Sequence, residues 1–210
     1  MSILIAIPKG RLGDELIERL AGTDLAMDPA ALKGRGLRVP TAMRGVEALL
    51  LKGADLPRYV AEGVAALGVV GSDTLDEQPV EVLELADLGF GACRLALCAR
   101  AGTELHGLLA RPHLRLATKY LRATEAWLAR QGLTAELVPL TSSVELAPLV
   151  GLADAIVDLV QSGSTLKAND LVELATLGST SARLIAARGA YLARPAELRP
   201  VIEALRRAAG

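Results

Sequence analysis

The segment from Asp154 to Leu166 carries the residues whose types and spacing are best suited to chemistry. A short apolar strand with two acids, Asp154 and Asp158, runs into a loop rich in hydroxyls and glycine, and a helix follows. Glycine lets the backbone approach an anion, successive N–H groups can point inward, and the helix adds the positive end of its dipole. Asp158, four residues before Ser162, is placed to accept hydrogen bonds from a sugar diol. The segment predicts a site for a sugar phosphate.

A purely structural interpretation of this loop is a helix N-cap, because Ser and Thr precede helices for that reason alone. The paired acids on one face of the preceding strand favour the functional interpretation, since buried or half-buried aspartates need partners. The spacing from Asp158 to Ser162 and Gly163 also resembles the diphosphate-sugar loop of phosphoribosyltransferases, in which three residues separate an acid from Thr/Ser-Gly-x-Thr.

Three other loops carry groups that could contact a phosphate. Pro8–Arg11 combines Lys, Gly and Arg after the first predicted strand. This loop could bind pyrophosphate, with Arg11 forming paired hydrogen bonds and Lys9 acting as a point charge. The alternative is a solvated basic turn. Gly71–Asp73 has ordinary turn chemistry. Thr118–Tyr120 could place a cation and a hydroxyl beside the same cleft, although Tyr120 could equally be a half-buried anchor and Lys119 a surface charge.

The elements that must position these loops alternate between short apolar runs and helical patterns. This alternation predicts an α/β fold with largely parallel sheets, in which ligands bind beyond the carboxyl ends of the strands. The pattern predicts a helix from about Leu166 to Leu177, a last strand at Arg183–Ala187 and a C-terminal helix framed by Pro195 and Pro200. Two glycines around the only Phe indicate a domain boundary near 89–91.

Composition excludes several classes of function. The net charge is −1 and aromatics are 2% of 210 residues, which argues against a nucleic-acid surface. Five apolar residues before Pro8 are too few for a signal or a membrane span, so we expect a cytoplasmic protein with no membrane association. Cys93 and Cys98 fall on opposite faces of a predicted strand, and with only two histidines a protein-built metal site is not expected.

Together these segments resemble the ATP phosphoribosyltransferase family over nearly the whole chain. The strongest match runs from Ser143-Val-Glu145 through Pro148, Gly151, Asp154 and Asp158 to Ser162-Gly-Ser-Thr-Leu166 and Asn169. Supporting matches are Lys9-Gly-Arg-Leu12, Asp55-Leu-Pro57, Leu67-Gly-Val-Val-Gly71-x-Asp73, Leu88-Gly-Phe-Gly91-x-Cys93-Arg94 and Leu116-Ala-Thr-Lys-Tyr120. Two residues depart from the family pattern outside the phosphate loop: Lys52 stands where Arg is usual, and Ala66 replaces a frequent Asp.

The resemblance implies a fold and a reaction. The fold would be α/β with two lobes and mixed, largely parallel sheets, like type II periplasmic binding proteins, with the active site in the interlobe cleft. Residues 1–91 plus 178–210 would form lobe I, and residues 92–177 would form lobe II, which carries the phosphoribosyl pyrophosphate loop. The enzyme would join adenine N1 of ATP to phosphoribosyl pyrophosphate, with Mg²⁺, in the first step of histidine biosynthesis.

The resemblance also implies roles for individual residues. Asp158, Lys9 and Arg11 would be catalytic, and Mg²⁺ would be bound through substrate phosphates rather than by protein ligands. Phosphoribosyl pyrophosphate would be bound by Glu145, Asp154, Asp158, Ser162, Gly163, Ser164, Thr165 and Leu166. ATP or pyrophosphate would be bound by Lys9, Gly10, Arg11, Arg35, Gly71, Asp73 and Lys119.

Chain length implies how the enzyme would be regulated. Longer members of the family carry an extra C-terminal domain that binds histidine, whereas this chain ends at Gly210 after the last predicted helix. It resembles the short form, so we expect a homo-oligomer that joins a separate regulatory subunit similar to histidyl-tRNA synthetase. The alternatives are a two-lobed solute-binding protein, because fold does not determine function, and a phosphoribosyltransferase that uses another nucleobase.

Overall fold

The computed structural model describes residues 2–34 and 36–210, apart from the side chain of Lys33. The chain forms two compact units. Unit 1 consists of the segment up to Gly91 together with Ser181–Gly210, and unit 2 consists of Ala92–Thr180. Within the described part of the chain, no helix is both long enough and apolar enough to cross a bilayer.

Strands and helices alternate along both units, and the chain returns to unit 1 in its last segment. The first segment contains β1 (Ile3–Pro8), α1 (Arg11–Leu20), α2 (Pro29–Lys33), β2 (Arg38–Pro40), β3 (Val46–Leu51), α3 (Leu56–Ala61), β4 (Leu67–Gly71), α4 (Ser72–Glu77) and β5 (Leu83–Asp87). Unit 2 contains β6 (Cys93–Arg100), α5 (Leu105–Leu109), β7 (Arg115–Thr118), α6 (Leu121–Gln131), β8 (Glu136–Pro139), a 3₁₀ turn (Val144–Leu146), β9 (Ala155–Val160), α7 (Ser164–Ala168) and β10 (Leu171–Thr180). The last segment contains β11 (Ala182–Ala186), α8 (Arg188–Ala193) and α9 (Pro195–Ala209).

Unit 1 is built on a six-stranded sheet in the order β2-β3-β1-β4-β11-β5. Apolar clusters cover both faces, because the central strands are apolar on both sides. One cluster joins Ile5 and Ile7 to Leu16 of α1 and Leu205 of α9. On the opposite face, α3 packs on β4 so closely that a Cβ at Gly68 would lie 2.9 Å from a methyl of Leu56. Helices on both faces fix the sheet that presents the β1 and β4 loops.

Unit 2 is built on a five-stranded sheet in the order β10-β6-β9-β7-β8. Alternate residues of β9 separate two cores: Ala155 and Val157 pack with α5 and α6, whereas Ile156 and Val160 pack with the 3₁₀ turn and α7. Asp158 has the same parity as Ile156 and Val160, so it belongs to the face that carries the 3₁₀ turn and α7. Sheet alternation therefore places Asp158 on the side of the Ser162–Thr165 segment, which we call the hydroxyl loop.

The helix predicted from about Leu166 to Leu177 is wrong. The helix α7 ends at Ala168, the chain turns through Asp170 in the left-handed region (φ 52°), and β10 then runs antiparallel to β6. Leu171 pairs with Arg100 and Thr180 pairs with Cys93. Pairing with β6 overrides the helical spacing of the apolar residues, since strand preference depends mainly on neighbouring strands.

The predicted α/β architecture with two sheets is confirmed, but the parallel content is lower than predicted. Among the described strands, four pairings are parallel and five are antiparallel. The reason is topological: β11 returns between β4 and β5 and is antiparallel to both, and β6 is antiparallel to both β9 and β10. The last strand, predicted at Arg183–Ala187, is confirmed as Ala182–Ala186.

Candidate functional site

The hydroxyl loop of unit 2 connects the end of β9 to α7. Gly163 precedes the helix with φ 75° and ψ 9°, a left-handed conformation that favours glycine. Ser162, Ser164 and Thr165 are exposed, and the Ser162 and Ser164 hydroxyl oxygens are 3.1 Å apart. The first N–H groups of a helix have no acceptor within it, so this turn combines main-chain donors with three hydroxyls. Such a concave set of donors suits a phosphate.

Leu166 anchors the hydroxyl loop to the sheet of unit 2. Its side chain is buried with Val160 and Leu171 in one apolar cluster, so only its main chain is available to a ligand. Behind it, the Asn169 side-chain amide donates to the Thr165 carbonyl at 2.9 Å and closes the short helix. These contacts hold the turn in place on the sheet.

Asp158 and Lys119 form the charged pair nearest to this loop. Because β7 and β9 are adjacent and parallel, with Thr118 opposite Val157, the next residues of both strands meet beyond that register. The Lys119 Nζ lies 3.7 Å from the Asp158 Oδ1, and that same oxygen accepts the Leu159 N–H at 2.8 Å. Burial raises the pKa of the Asp158 carboxyl, whereas the Lys119 ammonium opposes this rise.

Glu145 approaches the same carboxylate from the 3₁₀ turn. It is half-buried, and its negative charge contributes to raising the pKa of Asp158. Ser143, immediately before the turn, is a non-glycine residue in the left-handed region (φ 50°), which directs the turn that carries Glu145. Thus Asp158, Lys119, Glu145 and the hydroxyl loop are brought together within unit 2.

The structure does not bring Asp154 to this group. It lies just before β9, about 13 Å along the extended chain from Asp158. Its Oδ1 accepts from the Arg111 guanidinium at 2.6 Å, and its Oδ2 accepts the Arg115 N–H at 2.8 Å. Both carboxylate oxygens are therefore occupied at the opposite end of the strand.

In unit 1, the loop after β1 is shaped by Gly10. Its φ of 88° and ψ of −166° belong to a region that essentially only glycine adopts. Lys9 and Gly10 line a cavity of about 480 Å³ that also includes the apolar side chains of Ile17 and Leu50. Arg11 is exposed at the start of α1 and does not line this cavity. Arg35, the other predicted cation, lies outside the described residues.

The second predicted loop of unit 1 joins β4 to α4. The Asp73 carboxylate folds back over Gly71, where a Cβ would meet Asp73 Oδ1 at 2.1 Å. The Ser72 N–H donates to the Ser181 carbonyl at 3.0 Å, which ties this loop to the start of β11. A side chain at position 71 would displace the Asp73 carboxylate, which is the end of a flexible side chain, so the glycine leaves room for this carboxylate beside the main chain.

The described residues contain no group of three or more His, Cys, Asp or Glu side chains arranged to hold a metal ion. The two cysteines on β6 are buried thiols that form no disulfide. Burial raises the pKa of the Cys98 thiol to about 12, so it is neutral near the Asp158 carboxylate.

Sequence reasoning missed the residues that support the site. Arg111 and Arg115 bind Asp154, but nothing in their spacing predicts this, because the two arginines and the aspartate are about 40 residues apart. From the sequence, Thr118 is only the first residue of the predicted Thr118–Tyr120 loop and receives no role of its own. In the structure its hydroxyl is fully buried and bonds the Val157 carbonyl at 2.7 Å.

Comparison with protein families gives a match over most of the chain. The family model for HisG, ATP phosphoribosyltransferase, matches residues 52–207. Two curated relatives, both named ATP phosphoribosyltransferase, come from Moorella thermoacetica and Deinococcus deserti. The first is 43% identical and aligns over 99% of this chain and 93% of that protein. The second is 46% identical and aligns over 97% of this chain and 91% of that protein.

Solved structures resemble the fold as well. The ATP phosphoribosyl transferase (HisG:HisZ) complex from Thermotoga maritima matches with a TM-score of 0.81 and 26% identity, over 99% of this chain and 98% of that chain. The periplasmic aliphatic sulphonate binding protein SsuA from Escherichia coli matches with a TM-score of 0.64 and 14% identity, over 99% of this chain and 68% of that chain. The second likeness concerns the fold alone, that of a type II periplasmic binding protein.

Proposed function

The chain belongs to the ATP phosphoribosyltransferase family, and from this premise we propose how its residues perform the reaction. The activity is that of a pentosyltransferase in the first step of histidine biosynthesis. The observation that carries the assignment of roles is the grouping in unit 2 of the hydroxyl loop, Asp158, Lys119 and Glu145.

The reaction is a displacement at the anomeric carbon of phosphoribosyl pyrophosphate. The lone pair of adenine N1 forms the new C–N bond, and the C–O bond to pyrophosphate breaks with its electron pair on the leaving oxygen. Positive charge develops on the sugar ring and then on the adenine, which later releases a proton from its exocyclic amine. No covalent intermediate is required, so the protein contributes mainly position and electrostatic stabilisation.

We assign the phosphoribosyl group to unit 2. The main-chain N–H groups and hydroxyls of Ser162, Gly163, Ser164 and Thr165 bind the 5-phosphate, and the Leu166 N–H completes this set. Asp158 accepts hydrogen bonds from the ribose hydroxyls, and its negative charge stabilises the cationic sugar ring. Support comes from the exposure of the hydroxyls and from the position of Asp158 on the face that carries α7.

Cations and main-chain groups outside this loop offset the phosphate charges. Lys119 is 3.7 Å from Asp158, too far for a hydrogen bond, so its ammonium keeps donors for pyrophosphate while its charge favours the ionised form of the carboxylate. In unit 1, the loop of Lys9, Gly10 and Arg11 binds ATP or pyrophosphate phosphates, and Gly71 with Asp73 binds the nucleotide. The 480 Å³ cavity beside Lys9 falls in the size range of ligand sites.

Mg²⁺ fits this site through its substrates. Among the described residues no group of three or more His, Cys, Asp or Glu side chains could hold the ion, so we propose that it is bound by the substrate phosphates rather than by protein ligands. When bound, the ion would neutralise charge on the departing pyrophosphate. Asp158 remains responsible for orienting the ribose, and Lys119 for keeping Asp158 ionised.

Formation of phosphoribosyl-ATP tests the proposed function. The purified chain is mixed with ATP, phosphoribosyl pyrophosphate and Mg²⁺, and product is followed by absorbance and by mass spectrometry. We expect one pyrophosphate per phosphoribosyl-ATP. Replacement of ATP by guanine, hypoxanthine or orotate tests the rival acceptors, and product from one of these but not from ATP would contradict the proposal.

A second polypeptide belongs to the proposal. The structural relative from Thermotoga maritima is a HisG:HisZ complex, and we propose a comparable hetero-oligomer with a separate regulatory subunit for this chain, in the cytoplasm where its substrates are made. We expect histidine to inhibit the complex but not to bind the isolated chain. Tight binding of histidine to this chain alone, measured by calorimetry, would contradict the assignment of regulation to a partner.

Replacement of Asp154 by Asn is expected to separate stability from activity. The amide cannot form the ion pair with Arg111, so we expect the free energy of unfolding to fall by about 1–3 kcal/mol. The turnover should stay within about twofold of wild type, because Asp154 lies at the far end of β9. Urea unfolding measures the change in stability, and steady-state rates measure the change in turnover. A much larger loss of turnover in a folded variant would show that Asp154 belongs to the binding site.

A further inference from the structure

We propose that Thr118 is a positioning residue whose buried hydroxyl holds Lys119 beside Asp158. Thr118 is the last residue of β7 and is completely buried. Its hydroxyl bonds the Val157 carbonyl and the Tyr120 N–H, neither of which we assign to substrate, so its effect on the reaction is exerted through Lys119. The inference rests on the proposed function, which gives the Asp158–Lys119 pair its role.

The hydroxyl makes two hydrogen bonds that join the strands at the point where both charged residues emerge. Thr118 Oγ1 donates to the Val157 carbonyl at 2.7 Å and accepts the Tyr120 N–H at 2.9 Å. Val157 is the residue before Asp158, and Tyr120 is the residue after Lys119. The single hydroxyl therefore clamps the backbone on both sides of the charged pair.

Side-chain alternation explains why a clamp on one face controls a contact on the other. Thr118 and Val157 are opposite each other in the parallel register of β7 and β9. Their successors, Lys119 and Asp158, turn to the opposite face and meet there at 3.7 Å. A shift of the turn after β7 would change this distance directly, because Lys119 lies between the two anchored residues.

The Tyr120 ring gives Lys119 a second restraint. Tyr120 is buried in the core of unit 2, and the Lys119 ammonium lies 5.0 Å from the centre of its ring. The hydrogen bond from the Tyr120 N–H to Thr118 thus fixes the residue on which the lysine side chain rests. Without the hydroxyl, both the strand end and this ring would lose one restraint on their position relative to Asp158.

Replacement of Thr118 by Val tests the clamp at nearly constant volume. Valine fills the same space but neither donates to Val157 nor accepts from Tyr120. We expect kcat to fall about tenfold with a smaller rise in KM for phosphoribosyl pyrophosphate, because the 5-phosphate loop is untouched and only the contact of Lys119 with the pyrophosphate end is disturbed. Thr118→Ser keeps the hydroxyl and should restore most of the lost turnover.

Thr124→Val is the matched control. Thr124 is also fully buried in unit 2, and its hydroxyl also donates to a main-chain carbonyl, that of Tyr120, at 2.6 Å. That bond lies within one helical turn of α6 and does not link β7 to β9. We expect this variant to lose some stability while its kcat and its pH profile remain like those of wild type.

The pH profile separates positioning from simple loss of stability. The titrating carboxyl is Asp158, and the groups that face it are Lys119 after β7, Glu145 on the 3₁₀ turn and Cys98 on β6. If Thr118→Val lets Lys119 move away, Asp158 loses the cation that lowers its pKa. The fall in activity on the acidic side of the pH profile, its acid limb, should then occur at higher pH. In a Lys119→Met background, Thr118→Val should cause little further loss of turnover.

The carboxyl titration of Asp158 by ¹³C NMR, assigned with the Asp158→Asn variant, decides the inference without any turnover measurement. A titration midpoint that is higher in Thr118→Val than in wild type supports the clamp. An unchanged midpoint, failure of Thr118→Ser to restore it, or an undiminished effect in the Lys119→Met background would overturn the proposal. Absence of phosphoribosyl-ATP from the wild-type chain, even with the regulatory subunit present, would instead reject the proposed function, while the Asp158 titration would still test the role of Thr118.

Discussion

Replacement of Asp158 by Asn is expected to lower turnover about 10²–10³-fold while the fold remains intact. The amide keeps the size of the side chain and can still bond the Leu159 N–H, but it has no charge to stabilise a cationic sugar ring. Substrate affinity should change much less than kcat, since the charge matters most where positive charge develops. Steady-state kinetics with both substrates measures this difference.

The same variant is expected to be at least as stable as wild type at neutral pH. Burial raises the pKa of Asp158 above its ordinary value of 3.8, so the folded state holds this proton more strongly than the unfolded state. Stability contributed by the group is complete below 3.8, falls as pH rises through the window up to the folded pKa, and stays lower above it. The asparagine side chain cannot titrate, so the advantage of the variant should shrink when urea unfolding is repeated in acid.

Asp154→Asn is the natural control for Asp158→Asn, because both acids belong to the β9 segment and only one lies beside the hydroxyl loop. The two variants should show opposite patterns: loss of turnover with preserved stability at position 158, and loss of stability with preserved turnover at position 154. Near-normal turnover of Asp158→Asn would remove this residue from the ribose site.

Replacement of Lys119 by Met is expected to lower turnover about 10–100-fold and to move the acid limb of the activity profile to higher pH. Methionine keeps an unbranched apolar side chain over the Tyr120 ring but has no ammonium. Loss of the cation lets the pKa of Asp158 rise further, so a larger share of the enzyme carries a neutral carboxyl at a given acidic pH. Rates measured across the pH range, with saturating substrates, test this shift.

Lys167→Met provides the control for a general loss of positive charge. Lys167 is an exposed lysine of α7 in the same unit, and its described hydrogen bonds are made by its main chain, which donates to the Gly163 carbonyl at 3.0 Å and accepts the Asp170 N–H at 3.3 Å. Its removal changes the net charge by the same amount without changing the surroundings of Asp158. A shift of the acid limb in both variants would show that long-range charge, rather than the Lys119–Asp158 contact, sets the profile.

The local structure of the segment from β9 to α7 was predictable because its functional residues are consecutive in the chain. A strand, a Ser-Gly-Ser-Thr loop and a helix start are consecutive in the chain, and the structure has β9, the left-handed Gly163 and α7 in that order. The family was also predictable, since matches such as Ser143–Asn169 are contiguous. These conclusions depend on residues that are neighbours along the chain and whose local conformations do not depend on distant partners.

The course of the chain after α7 was not predictable in this way. Leu171, Leu174 and Leu177 have a spacing that suits a helix, yet they belong to β10, which pairs with β6 from Leu171 to Thr180 with register shifts at Leu174 and Leu177. A strand pairing between segments so distant in the chain leaves no local signal. For the same reason the sequence overestimated the parallel content of both sheets.

The amino-acid sequence by itself determined the family, the reaction and the loop that is suited to a phosphoribosyl group, because these follow from contiguous residue types and glycine positions. Only the tertiary structure decided which acid accompanies that loop. Asp154 and Asp158 have the same chemistry and share one strand segment, but Arg111 and Arg115 occupy Asp154, whereas the parallel register of β7 and β9 places Lys119 beside Asp158. Those partners are selected by strand pairing, and strand pairing joins residues that the linear sequence keeps far apart.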